Sequence, residues 1–247
     1  MTPSQFLDCV LPETGPYCIV TIKNKQPQQH FIDDLDSLEP FIEDNLKAHR
    51  DIYYSPASYN NSSSRKADNT SMIKSFWLDL DCGEGKQFLD KQLAVMAVDN
   101  FAKTTQLPPP FLVDSGNGVH AYWILSKAIP SDKWEPLAHR LKAACVEHKL
   151  EADPAVTADR ARILRIPDTL NFKDPTSPKE VNVLREADTV NTRDFITVLQ
   201  TLQLPEAKVM PINKTKRKRN QTTEALMGNF NSKFSTIVRK SVTGKGC

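Results

Sequence analysis

The spacing of apolar residues predicts an alternation of short strands and amphipathic helices along the chain. Cys18, Val20 and Ile22 recur at every second position, as they do on one face of a strand. From residue 37 onward the apolar positions are three or four apart, which is typical of a helix. The same criteria predict strands over 17–22, 52–55, 76–81, 111–115 and 119–125, and helices over 37–49, 88–101, 131–150 and 193–202.

Local signals add detail to four of these elements. The strands over 111–115 and 119–125 are separated by Gly116-Asn117-Gly118, and a short glycine-rich connection of this kind predicts a hairpin. Ser131 precedes a long amphipathic stretch, so it is predicted to be the N-cap of that helix. The apolar stripe of the helix over 88–101 is expected to consist of Leu89, Leu93, Met96 and Ala97.

Two carboxylates interrupt the apolar strand over 76–81, whose sequence is FWLDLD. Residues two apart on a strand project from the same face, so Asp79 and Asp81 are predicted to point the same way. Two converging anions in a poorly solvated place need a positive neutraliser, and Mg²⁺ or Mn²⁺ is the usual one for oxygen ligands. The alternative is that one aspartate caps the following loop and the other is solvated at the strand end.

The composition is that of an ordinary soluble globular protein, with 247 residues, 39% hydrophobic and 25% charged. No apolar run reaches the roughly 18 residues that a membrane span needs, and the N-terminus lacks the basic-then-apolar order of a signal peptide. The five cysteines form no C-x-x-C pair, which argues against a zinc knuckle and a disulfide framework. We therefore expect a cytoplasmic protein with reduced thiols and no membrane partner.

Charge is distributed unevenly along the chain. Residues 213–247 contain nine Lys and Arg and one acid, while the whole chain has a net charge of +2, so the preceding residues are acidic overall. We predict a catalytic domain over 1–203, a basic linker over 204–223 and the start of a truncated C-terminal helical segment over 224–247. Clustered basic residues indicate contact with phosphate, although a solvated connection is the alternative. The candidate nucleic-acid contacts are Arg65 and Lys66 in the polar stretch 59–69, and Lys216, Arg217, Lys218 and Arg219 in the linker.

Two further segments carry candidate phosphate-binding chemistry. In SGNGVH, glycines at 116 and 118 allow backbone N–H groups to approach a phosphate, while Ser115 and His120 supply side-chain donors. A tight hairpin with a buried histidine is the alternative. Downstream, acids are followed by cations, a combination that suits metal ions beside a triphosphate. The candidates there are Asp153 or Asp159 as an acid, and Arg162, Arg165 and Lys173 as cations.

The motifs FWLDLD, SGNGVH and RILRIPDTLNFK, in this order, resemble the archaeo-eukaryotic primase superfamily, in particular the primase-polymerase (Prim-Pol) domains of phage and plasmid replication proteins. The resemblance covers about residues 17–184. It implies an α+β fold, with a mixed central sheet flanked by helices and an RRM-like catalytic core. One departure is Asp168, where related proteins usually have glycine, although aspartate tolerates left-handed backbone better than most residues.

The resemblance also implies roles for the residues that match the family motifs. Asp79 and Asp81 correspond to two metal ligands and Asp153, with Asp159 as the alternative, to a third; Ser115 and His120 correspond to contacts with the incoming nucleotide. The implied activity is two-metal nucleotidyl transfer from NTPs or dNTPs on a single-stranded DNA template, in a bacterial or phage-infected cell.

Two other classes of function stay open at this point. The chain could be a catalytically silent replication-initiator or DNA-binding module that recruits a helicase. It could also be another Asp-x-Asp metal enzyme, such as a sugar-nucleotide transferase or a nuclease. Intact acids at 79, 81 and 153 argue against the silent module. A replicative helicase is a further expected partner, in cis or in trans.

Overall fold

The structure, a computed structural model, describes residues 1–204. It contains five α-helices in this range, each with an apolar face toward the core. They are α1 (Pro3–Val10), α2 (Leu38–Lys47), α3 (Lys91–Thr105), α4 (Ser131–Glu147) and α5 (Thr192–Thr201). None of the helices in residues 1–204 is long and apolar enough to cross a membrane.

The strands form two sheets in which neighbouring strands run antiparallel. The first has the order β2-β1-β3-β8, and the second has the order β4-β5-β7-β6-β10-β9. The strands are β1 (Tyr17–Lys23), β2 (Gln26–Ile32), β3 (Asp51–Tyr54), β4 (Ala57–Tyr59), β5 (Thr70–Asp81), β6 (Phe111–Asp114), β7 (Gly118–Pro130), β8 (Leu164–Arg165), β9 (Thr169–Asn171) and β10 (Lys179–Arg185). The α+β class is thereby confirmed, with two antiparallel sheets where a single mixed sheet was expected.

The long strands β5 and β7 lie side by side in the middle of the second sheet, and helix α4 packs on β5 through aromatic residues. Trp77 on β5 and Trp134 on α4 are both fully buried, and their rings stack with centroids 4.7 Å apart. Each indole N–H has a backbone acceptor, Val156 O for Trp77 and Ser75 O for Trp134. Because these buried donors are satisfied, the aromatic packing stabilises β5 without leaving a polar group unpaired.

The predicted hairpin is confirmed, since β6 and β7 pair through the Ser115–Asn117 turn. The predicted helices are also present, each with ends within a few residues of those predicted. Local sequence patterns did not predict α1 or β2. The side chains of β2 are largely exposed. Asp168 has φ of 63°, so the turn that usually contains glycine is formed here by an aspartate in the left-handed region.

Two local predictions were wrong. Leu89, Leu93 and Met96 are 76%, 42% and 61% exposed, whereas α3 buries Ala94, Val98, Phe101, Ala102 and Thr105. Ser131 is the first helical residue of α4 and not its N-cap; the cap position is Pro130. The Ser131 hydroxyl instead donates to the Thr70 carbonyl on β5, so it ties the helix start to the sheet.

The predicted linker over 204–223 and helical segment over 224–247 lie outside the described residues, apart from Leu204. The same holds for the four basic residues predicted to contact nucleic acid, Lys216, Arg217, Lys218 and Arg219. These assignments stay predictions.

Candidate active site

Asp79 and Asp81 project from one face at the end of β5. On the opposite face, Leu78 and Leu80 are fully buried. This alternation is the one expected of a strand with its apolar face in the core and its carboxylates outside it. The Asp79 side chain is 16% exposed and that of Asp81 is 40% exposed, so the first carboxylate is much the less solvated of the two.

The pKa of Asp79 is raised from its ordinary 3.8 to about 6, mainly by burial and next by the charge of Asp81. Arg162 opposes the rise, with its Nη2 atom 3.8 Å from Asp79 Oδ2. At that distance it makes no hydrogen bond, and no hydrogen bond from the described residues reaches this carboxylate. Asp79 is therefore an anion whose charge the surrounding side chains do not fully compensate.

His120 lies on β7 directly opposite Asp79, with its Nε2 atom 3.7 Å from Asp79 Oδ1. Burial lowers the pKa of His120 to about 3, and Arg165 and Arg162 add to the effect. The imidazole is therefore neutral at physiological pH. Its Nδ1 atom lies 3.2 Å from the hydroxyl of Tyr122. When that hydroxyl donates, the ring proton is on Nε2 and faces the acids.

The structure separates the two candidates for a third acid. The backbone N–H of Asp153 donates to the carbonyl of Asp79 at 2.8 Å, and the charge of Asp153 contributes to the raised pKa of Asp79. Asp159 instead lies where its charge contributes to raising the pKa of Tyr59. Asp153 is therefore the acid that adjoins the pair on β5.

The carboxylate of Asp153 accepts a hydrogen bond from Ala155 N at 2.8 Å, within its own turn. In residues 1–204 no group of three His, Cys, Asp or Glu side chains is already arranged to hold one metal ion. The donor set still fits a divalent cation, because two oxygen ligands share a face and one of them is undercompensated.

Lys86 is a site residue that sequence reasoning missed. It belongs to the loop that follows β5, and its Nζ atom lies 2.9 Å from Asp81 Oδ2. The loop turns through Gly83 and Gly85, which have φ of 123° and 70°, values that side-chain-bearing residues rarely adopt. Lys86 lies five residues after Asp81 in a loop, so no helix or strand periodicity in the sequence predicts this ion pair.

The SGNG turn is tightly packed, and its amides are partly occupied. Gly116 N donates to Asp114 Oδ1 at 2.7 Å, and Ser115 N donates to the Gly118 carbonyl at 3.0 Å. A Cβ at Gly118 would collide with the backbone carbonyl of Leu80. The visible role of the glycines is thus close packing, and phosphate binding by their N–H groups stays a prediction.

Arg165 is held by partners on β3. It makes an ion pair with Asp51 at 2.7 Å and donates to the Tyr53 hydroxyl at 2.7 Å, and its guanidinium lies 4.5 Å from the centroid of the Tyr53 ring. Asp51 also accepts from the backbone N–H of Phe172 at 2.8 Å. Asp51 therefore joins Arg165 and the first sheet to the segment after β9, whereas Arg162 is the arginine that reaches the acids.

A groove of about 750 Å³ brings together seven of the predicted site residues. It is lined by Asp79, Asp81, Ser115, His120, Arg162 and Arg165, and its rim includes the exposed Lys173. Asp153, Gly116, Gly118, Arg65 and Lys66 are not among its lining residues. Arg65 donates to the Ala161 carbonyl and is half-buried, while Lys66 is exposed. Their contact with nucleic acid stays a prediction.

A comparison with protein-family models finds no match. Among curated proteins, the chain is 29% identical over 153 residues to a replication protein of Clostridium perfringens. That match covers 58% of this chain and 34% of the relative, so the chain spans about a third of that protein's length.

Two solved structures share the fold. The AEP domain of the cyanophage S-2L primase-polymerase superposes with a TM-score of 0.60 and 14% identity, covering 79% of this chain and 95% of that domain. Primase RepB' superposes with a TM-score of 0.54 and 13% identity, covering 98% of this chain and 67% of that chain. The resemblance to primase-polymerase domains is confirmed at the level of the fold.

Proposed function

We propose that this chain, whose fold is that of primase-polymerase catalytic domains, is a DNA primase that joins nucleotides on a single-stranded DNA template during replication. The observation that carries the proposal is the pairing of β5 and β7, which puts His120 beside Asp79 on the neighbouring strand, so that Asp79, Asp81 and His120 line one groove. The similarity to a replication protein supports the same biological setting.

In this proposal Asp79, Asp81 and Asp153 hold Mg²⁺ or Mn²⁺. The bound ions supply the positive charge that activates the attacking hydroxyl and stabilises the phosphate oxygens. Burial of Asp79 beside Asp81 raises the cost of leaving the site without a cation, which favours metal binding. Lys86, which contacts only Oδ2 of Asp81, would share that carboxylate with a bound cation.

The remaining residues bind the NTP or dNTP. His120, neutral and buried, donates from Nε2 to a phosphate oxygen. Because its ring carries no charge, it does not repel the neighbouring Arg162. Arg162 neutralises phosphate charge, and Ser115 and Lys173 contact the same triphosphate from the turn and from the rim of the groove. Arg165 acts from the groove wall, where its partners on β3 hold it.

The test is template-dependent synthesis. The full chain is incubated with single-stranded DNA, Mg²⁺ or Mn²⁺, and labelled NTPs or dNTPs, and products are resolved on a gel. We expect oligomers with the wild type, loss of at least 100-fold with Asp79→Asn or Asp81→Asn, and full activity with Asp132→Asn, which changes an exposed acid on α4.

The same assay separates the other candidates. If the chain binds DNA but incorporates no nucleotide with either metal and either type of nucleotide, it is not a primase. That result would favour an initiator module that recruits a helicase. Hydrolysis of the template, or transfer from a sugar nucleotide, would indicate a different Asp-x-Asp enzyme. Because the chain spans about a third of its curated relative, partnership with a helicase is itself part of the proposal.

A further inference from the structure

Part of the groove wall is built from three segments of the chain that are separate from the strand bearing Asp79 and Asp81. The β1–β2 turn contributes Lys23 and Lys25, the end of α2 contributes His49, and the segment after β9 contributes Phe172. We refer to these four residues as the basic rim. Phe172 belongs to the RILRIPDTLNFK motif, but neither it nor Lys23, Lys25 or His49 has a role in the nucleotide contacts described above.

The backbone of the basic rim adopts conformations that glycine usually supplies. Asn24 and Lys25 have φ of 52° and 64°, as in the two-residue turns that strongly favour Asn-Gly. His49 has φ of 52° in the position after the α2 C-cap, where the N–H of Arg50 bonds to the carbonyl of Asn45. That position is most often glycine. A lysine and a histidine thus stand where a side chain is sterically costly.

His49 presents a flat ring to the groove. It stacks on Phe172 with ring centroids 5.4 Å apart and an angle of 13° between the planes. Phe172 is buried and its backbone N–H is fixed by Asp51, so the ring beneath His49 is held in place. His49 itself is exposed, which leaves its ring accessible at the groove surface.

The lysines add positive charge to this surface. Lys23 Nζ donates to the Ala48 carbonyl at 2.7 Å and so fastens the β1–β2 turn to the end of α2 beside His49. Lys25 is exposed at the tip of the turn. Among the described residues, no carboxylate lies within ion-pair distance of either lysine. The rim therefore combines an ordered aromatic stack with cations that acidic side chains do not neutralise.

We propose that the basic rim binds the single-stranded template, with one base stacked on His49 and neighbouring backbone phosphates on Lys25 and Lys23. Stacking on an aromatic ring beside a basic groove is the general chemistry of single-strand binding. The inference rests on the proposed function, because it takes the strand that runs past the acids to be a template. In this proposal the basic rim contacts the DNA template, whereas Arg162 and Lys173 contact the triphosphate of the incoming nucleotide.

The experiment measures binding of a fluorescein-labelled thymidine oligonucleotide by anisotropy, without metal or nucleotide. His49→Asn removes the ring but keeps a residue that tolerates the left-handed backbone. We expect its affinity to fall about 5- to 150-fold, and His49→Phe to retain wild-type affinity. Lys25→Ala should reduce the slope of log affinity against log salt by about 0.7. Lys133→Ala, an exposed lysine on α4, is the matched control.

A second arm uses an oligonucleotide with abasic positions. Base removal should weaken the wild type and hardly affect His49→Asn, because the stacking partner is already lost. Equal affinities for His49→Asn and Lys133→Ala, or no binding by the wild type, would overturn the proposal. So would an effect of His49→Asn on nucleotide KM alone, which would assign the rim to the incoming nucleotide. If the basic-rim variants lose DNA binding but the wild type makes no primer, the proposal that the basic rim binds single-stranded DNA is supported and the proposed primase function is refuted.

Discussion

Replacing Asp79 with asparagine should stabilise the metal-free protein at neutral pH even though it removes a proposed metal ligand. The reason is the electrostatic position of Asp79, which is buried beside Asp81 and accepts no hydrogen bond from the described residues. Asparagine has nearly the same shape but no charge, so the variant avoids the burial of an undercompensated anion. Stability and activity should therefore change in opposite directions.

The magnitude follows from the raised pKa. The pKa of Asp79 is about 6 in the folded state against 3.8 ordinarily, and each pKa unit corresponds to about 1.4 kcal/mol. Above pH 6 the folded protein should thus be less stable by about 3 kcal/mol than one with an unperturbed carboxyl. For a domain of this size, that corresponds to roughly 6–12 °C in Tm.

The sign of the pH dependence is opposite to that of a salt-bridged aspartate. As the pH rises from 4 to 6, the unfolded state loses the Asp79 proton before the folded state does. Wild-type stability is therefore lost across this window relative to Asp79→Asn, and the gap between the two proteins is nearly closed at pH 4. Above pH 6 the gap is constant.

Thermal unfolding of both proteins in EDTA, between pH 4 and pH 8, measures this gap. Adding Mn²⁺ at pH 7 should raise the Tm of the wild type and leave that of Asp79→Asn nearly unchanged, since a ligand that binds only the folded state stabilises it. A variant that melts at or below the wild-type temperature at pH 7 in EDTA, or a gap that does not depend on pH, would refute the electrostatic argument.

Three shorter predictions concern the surrounding structure. Tyr122→Phe removes the hydrogen bond to His120 Nδ1 and so weakens the proposed contact of His120 with phosphate; the KM for the nucleotide in primer synthesis should rise up to about 10-fold, and an unchanged KM would contradict this. Arg165→Met leaves Asp51 without its ion-pair partner and should lower the free energy of unfolding in urea by about 3–5 kcal/mol, much of it recovered when Asp51→Asn is added. Gly118→Ala introduces a Cβ against the β5 backbone and should cost about 1–3 kcal/mol in the same assay, whereas an unchanged midpoint would contradict the packing.

The parts of the site that were predictable from the sequence are those with local patterns. Asp79 and Asp81 lie two apart in an apolar run, and a strand places such residues on one face whatever surrounds it. The SGNG turn fixes the β6–β7 hairpin, so the position of His120 near a strand end was also predictable. The pairing of β7 with β5, which brings His120 opposite Asp79, is not a local feature and came only from the structure.

Helix α3 shows how a local pattern can mislead. Leu93 and Met96 are exposed, while two alanines, Val98 and Phe101 face the core. Hydrophobicity ranks leucine and methionine above alanine, so the predicted stripe was rotated away from the buried face. Close packing of α3 against β7 admits the small residues, and that constraint depends on the distance between two elements that are distant in sequence.

The choice between Asp153 and Asp159 illustrates the remaining limit of sequence reasoning. Each carboxylate accepts from the backbone N–H two residues ahead, so their local environments are nearly the same. What distinguishes them is one long-range hydrogen bond from Asp153 N to the carbonyl of Asp79. Since a backbone amide makes that bond, Asp153→Asn should keep the turn in place and remove only the charge. A loss of primer synthesis in Asp153→Asn but not in Asp159→Asn would therefore report on the carboxylate itself and not on the position of the loop.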